Sequence, residues 1–134
     1  MTKLDIIEGI GPVYAEKLKE AGINSIEELL ETGKTRKGRS DLAEKTGISG
    51  KLILTWVNHA DLFRIKGLAG EYSELLEASG VNTVPQLATR VPENLLNKMK
   101  EVNEAKSLVR KLPSLSQVEG WIKEAGTLPR IVEY

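Results

Sequence analysis

Ile7-Glu8-Gly9-Ile10-Gly11-Pro12-Val13-Tyr14-Ala15-Glu16-Lys17-Leu18 is the stretch on which the rest of the chain is organised. Two glycines flank one apolar residue. Gly9 and Gly11 offer the φ freedom of a sharp turn, and Ile10 between them is placed to plug into a core. Pro12 suits the first position of a helix, where a missing N–H costs nothing. Tyr14, Leu18 and Ala21 recur at helical spacing, and Gly22 stands where a glycine ends a helix. The stretch predicts a short helix end, a tight turn, and a helix over about 12–21.

Working outward, Thr2 with Asp5 offers a cap for a first short helix through Ile7. Ser25 and Glu28 have the spacing of a capping box. A helix should follow to about Glu31, with Gly33 ending it. Residues 34–39, Lys-Thr-Arg-Lys-Gly-Arg, read as a basic loop. A further helix from about Ser40 carries Leu42 and Ala43. Thr46-Gly47-Ile48-Ser49 reads as a second, weaker turn with one glycine, Ile48 as its plug and Ser49 as the next cap. The fifth helix sets Ile53, Trp56, Val57 and Ala60 on one stripe.

The pattern then restarts. Ile65-Lys66-Gly67-Leu68-Ala69-Gly70-Glu71-Tyr72-Ser73-Glu74-Leu75-Leu76 repeats residues 7–18 at an offset of 58. The same offset pairs Gly22 with Gly80, Asn24 with Asn82, Ser25 with Thr83 and Leu29 with Leu87, the mark of an internal duplication. The copy departs from the first half where Ala69 replaces the second glycine and Glu71 and Glu74 enter the helix start. Later Trp56 matches Trp121 at an offset of 65, so about seven residues are added within 92–112. Pro92 opens a helix with Leu95, Leu96, Met99 and Val102. Leu108, Val109 and Leu112 extend the apolar pattern until Pro113. Ser114 or Ser116 caps a last helix bearing Val118, Trp121, Ile122 and Ala125. Residues 128–134 form an apolar tail that docks on its own domain or on a partner. Nothing alternates with period two. The expected fold is all-α, in two units of about five short helices at 1–64 and 65–134. Residues 58–66 lack Gly and Pro, so one helix should run through the junction.

Nineteen basic and nineteen acidic residues give a net charge of zero. This argues against a strongly basic nucleic-acid binder but not against a local basic face. Without cysteine, disulfides, thiol nucleophiles and thiolate metal sites are excluded. There is no signal-peptide run at the N-terminus and no membrane-spanning apolar run, so a soluble cytoplasmic protein is expected. His59 is the only histidine and has no metal-ligand spacing; it is expected at a surface or boundary position. Trp56 and Trp121 read as core, Tyr14 and Tyr72 as core edge. No nucleophile, base and orienting group stand together, and no enzyme is expected.

The apolar-x-Gly-apolar-Gly pattern, with Ala15 and Leu18 following in phase, resembles the helix-hairpin-helix motif. The pair of turns at 9–11 and 46–49 resembles a tandem helix-hairpin-helix domain, and the whole chain resembles a bacterial family of unknown function with two such units. The resemblance implies binding of a nucleic-acid backbone without reading sequence. Unpaired N–H groups and partial positive charge at a helix N-terminus favour a phosphate, and glycines let it approach. In this chain the donors would be the amides of Gly9, Ile10, Gly11 and Val13, with Lys17 or Lys19 nearby. At the weaker turn they would be Gly47, Ile48 and Ser49, with Lys51 beside them. The interval 34–51 holds six basic residues against Asp41 and Glu44, and Arg36, Lys37 and Arg39 are its expected contacts. The resemblance also implies a monovalent cation held by carbonyls near Ile7 to Ile10. Two readings follow: a non-enzymatic binder of duplex DNA acting through the first half, or a protein-interaction module or scaffold. The acidic second turn favours a structural or protein-binding role for the second half.

Overall fold

The computed structural model describes residues 3–7, 9–68 and 70–134; of Gly70 and Glu71 only the backbone is described. The Thr2 cap, the substitution at Ala69 and the Glu71 carboxylate fall outside what is described. Among the described residues the chain is all-helical, without a strand. A 3₁₀ turn at Leu4–Ile6 precedes eight α-helices: α1 Pro12–Glu20, α2 Ile26–Gly33, α3 Arg36–Thr46, α4 Gly50–Leu62, α5 Gly70–Ala78, α6 Val84–Ala88, α7 Pro92–Lys106 and α8 Leu115–Thr127. They form two compact units. One comprises residues 1–61 with 131–134, the other residues 62–130.

In the first unit the opening stretch folds as its residues dictate. Gly9 has φ +93°, a conformation that costs glycine least. The Ile10 N–H donates to the Ile7 carbonyl at 3.2 Å and closes the turn. Ile10 and Ile7 are both buried. Gly11 differs from expectation. Its φ of −85° is ordinary extended backbone, so the turn needs only one glycine. Pro12 opens α1. At its end Gly22 is left-handed, and the Ile23 N–H reaches back to the Leu18 carbonyl at 2.8 Å, a helix stop of the Schellman type. Ser25 Oγ accepts the Glu28 N–H at 3.1 Å and caps α2. The returning bond differs from a capping box by one residue, because the Glu28 carboxylate accepts from the Asn24 N–H (3.4 Å).

The expected basic loop is a correction. Thr35 caps α3 by accepting the Gly38 N–H at 2.9 Å, and the helix begins at Arg36. Gly38 is required by closeness, since a Cβ there would strike the Thr32 carbonyl and the Thr35 side chain. The weaker turn folds as expected. Gly47 is left-handed (φ +74°), Ile48 is buried and Ser49 Oγ accepts the Leu52 N–H at 3.2 Å. Trp56 is 1% exposed. Its ring meets Tyr14 edge-on at 5.1 Å between centroids, and its indole nitrogen is 3.6 Å from where a Cβ on Gly9 would stand. The helix through the junction is a second correction: α4 ends at Leu62, and residues 63–67 turn. His59 is a third, because it is buried inside α4.

The second unit repeats these bonds 58 residues on. Leu68 N–H donates to Ile65 (3.2 Å), Val81 N–H to Leu76 (2.8 Å), and Gln86 N–H to Thr83 Oγ1 (3.2 Å). Gly67 and Gly80 are left-handed (φ +82° and +92°). Tyr72 lies 5.3 Å from Trp121, the pairing that Tyr14 and Trp56 make. The core joins Leu62, Ile65, Leu68, Leu75, Leu76, Val84, Leu87, Met99, Val118 and Trp121, among others. The added residues lengthen α7 and the connection after it. Ser107 ends α7 in the left-handed region (φ 50°). The apolar pattern at 108–112 is therefore not helix. Instead the Asn103 side chain binds both backbone groups of Val109 (3.0 and 3.1 Å) and holds that residue in the core. Ser114, not Ser116, caps α8, in a full capping box with Gln117.

Candidate nucleic-acid interface

Two turns of the first unit carry the expected donors. At the first, Gly11, Pro12 and Val13 are exposed, and Val13 reaches 69%. Gly11 at the N-cap has no side chain to cap α1, so among the described residues no side-chain oxygen sits on its N-terminal amides. A Cβ added at Gly11 would meet nothing within 4 Å, and the backbone there is open to an approaching group. The Ile10 amide is a correction, since it is already bonded to Ile7. The second turn is corrected more heavily. The Gly47 N–H donates to Ala43 (2.9 Å) and the Ile48 N–H to Thr46 Oγ1 (3.2 Å). Of the three amides expected there, Ser49 alone has no such internal bond among those described. Lys51 is exposed beside it in the first turn of α4.

The cations divide. Lys17, Lys19, Arg36, Lys37, Lys45 and Lys51 are all exposed. Lys17 and Lys45 line one cleft of about 380 Å³ with Glu20, Ala21 and Thr46. Arg36 and Lys37 occupy the N-terminal turn of α3, so their positive charge adds to that of the helix terminus. Lys34 is paired with Glu31 at 2.8 Å, and surface pairs of this kind contribute little to stability.

Arg39 leaves the predicted set. It is only 7% exposed. Its Nη1 donates to the Gly33 carbonyl (2.7 Å) and its Nη2 to the Glu133 carbonyl (2.6 Å). Burial pushes the guanidinium below its usual value; nearby Tyr134 acts against this, Arg36 adds to it, and Glu133 opposes it. Spacing alone placed Arg39 with Arg36 and Lys37, but its bonds to the Gly33 and Glu133 carbonyls hold the guanidinium inside the fold.

The tail docks on the first unit. Glu133 N–H donates to the Lys34 carbonyl (2.7 Å), Tyr134 Oη donates to Asn58 Oδ1 (2.8 Å), and Val132 is buried. Sequence reasoning left open where this tail goes. Its one readable signal was the apolar character of Leu128, Ile131, Val132 and Tyr134.

The carbonyls implied for a cation are only partly present among the described residues: Ile7 already accepts from Ile10, and Glu8 lies outside them. No group of three or more His, Asp or Glu that could hold a metal is found among the described residues. No helix among them is long and apolar enough to cross a membrane.

No curated protein and no solved structure matches the chain. The profile of one family, described as "Domain of unknown function (DUF4332)", matches residues 8–128. With nine-tenths of its length inside that match, the chain belongs to the DUF4332 family.

Proposed function

We propose that this protein is a non-enzymatic, tandem helix-hairpin-helix binder of duplex DNA, acting through its first unit and without reading sequence. One observation carries the reading. The uncapped, open N-terminus of α1 at Gly11 and Val13 lies in the same unit as exposed Arg36 and Lys37 on the first turn of α3. Backbone amides and mobile cations are what a phosphate chain takes, and neither reports base identity. Gly9, Gly11, Val13, Lys17, Arg36, Lys37, Ser49 and Lys51 are the proposed contacts. The few phosphates this set can neutralise agree with a chain of zero net charge.

The test is a gel shift at low salt with random duplex DNA. Arg36→Glu with Lys37→Glu should weaken binding by about tenfold or more and flatten the salt slope by about two. Lys98→Glu with Lys100→Glu, on α7 of the second unit, should leave affinity within about twofold. Equal losses from both pairs would make the effect one of overall charge.

A second reading is favoured by a different observation. Ile6 (43% exposed) and Val13 (69%) are large apolar side chains left open on either side of the first turn. Such residues suit a protein partner, and fold alone does not choose between partners. Under this reading the intact chain shows no DNA binding at low salt, and Val13→Ser abolishes association with the protein partner.

A further inference from the structure

We propose that residues 131–134 are a displaceable strap that holds the Arg39 guanidinium at the basic corner of the first unit and lowers that unit's affinity for a phosphate backbone. This rests on the DNA reading above. The strap is joined to both ends of the segment that carries Arg36 and Lys37: Glu133 N–H donates to the Lys34 carbonyl at 2.7 Å, and Arg39 Nη2 donates to the Glu133 carbonyl at 2.6 Å. The carbonyl oxygen thus takes the guanidinium hydrogen that a phosphate oxygen would otherwise accept. The Glu133 carboxylate is exposed on this corner and is felt by Arg39, so the strap also brings negative charge to the place where an anion would dock. Buried Val132, half-buried Ile131 and the polar contacts of Val132, Glu133 and Tyr134 hold it. Ordering four residues costs entropy of the same size as such contacts return. A segment so balanced belongs with those that open without unfolding the rest.

The experiment uses the full chain. Anisotropy with a short random duplex is measured between about 50 and 200 mM salt for the intact protein, Val132→Ser and Glu133→Gln. Val132→Ser unseats the strap. It should bind about three- to tenfold tighter at low salt and steepen the salt slope by about one, the increment of one more phosphate contact. Glu133→Gln leaves the backbone bonds in place and removes only the charge, so it should give a smaller gain. Amide exchange supplies a readout free of DNA: the Glu133 N–H should exchange far faster than the amides of Trp56 and Val57 in α4 of the intact chain. Glu133 protection equal to that of α4 would overturn the strap as a displaceable segment. Binding by the intact chain that Val132→Ser leaves unchanged in affinity and slope would overturn the strap alone. Absence of DNA binding by all three proteins would overturn the DNA reading, and this inference with it.

Discussion

On α1 of the first unit Lys17 and Lys19 face solvent; the positions 58 residues later are Leu75, fully buried, and Glu77. The backbone around them hardly changes. Gly9 and Gly67 share a left-handed φ, Ile10 and Leu68 close the same turn, and Ile23 and Val81 make the same return bond at 2.8 Å. A hydrogen-bond scheme used twice on different surfaces is a structural device. What the two units do is therefore to be sought where they differ, in the cations of the first and the buried leucine and glutamate of the second. Leu75 in the core and the longer α7 belong together, because an extra apolar side chain on α5 needs something to cover it.

Truncating the tryptophans makes the sharpest comparison. Trp56→Ala and Trp121→Ala should each cost about 3–5 kcal/mol in denaturant unfolding, since both rings are buried and paired with a tyrosine. A cost below about 1 kcal/mol at either site would show that the two cores are not built alike. A step smaller, Gly9→Ala and Gly67→Ala should each cost about 1–2 kcal/mol, because an L side chain is strained in the left-handed region. Gly11→Ala, at ordinary φ with open space around it, should cost less than about 1 kcal/mol. It should weaken DNA binding all the same, by crowding the backbone where a phosphate would approach. The smallest effect is of opposite sign. Ser73 is buried where the first unit has Ala15, and its hydroxyl has no partner among the described residues, so Ser73→Ala should stabilise by about 1 kcal/mol in thermal melts. Destabilisation would mean that the hydroxyl has a role the first unit lacks.

Most of the fold was legible because its turns rest on local chemistry. Gly9, Pro12, Gly22, Ser25, Gly47, Ser49 and Ser114 each act within a few residues of themselves, where spacing is a reliable guide. The start of α3 was missed because six polar or glycine residues, Arg36 to Asp41, follow Thr35 before Leu42, and glycine is a poor helix former. The Thr35 cap was nonetheless there to be read. Arg39 and His59 were misjudged for another reason: charge and polarity argue for solvent, and only the packing of α3, α4 and the tail places them inside. Glu133 of the tail is more than ninety residues away in sequence from Arg39 and Lys34, where it docks, a separation that no local pattern encodes. Part of the candidate site failed similarly. The amides of Ile10, Gly47 and Ile48 looked available in a linear pattern, but each already has an acceptor in the folded turn.

The central claim is that the first unit holds a phosphate backbone through a few cations and open amides. The most direct measurement is the affinity of the intact chain for random duplex DNA as salt is raised from about 50 to 200 mM. The account predicts binding at low salt, indifferent to sequence, with log K falling linearly against log salt at a slope of about three to five, as expected for the few phosphates that Lys17, Arg36, Lys37 and Lys51 can reach. No binding at low salt and high protein concentration, or binding that salt does not weaken, would contradict it.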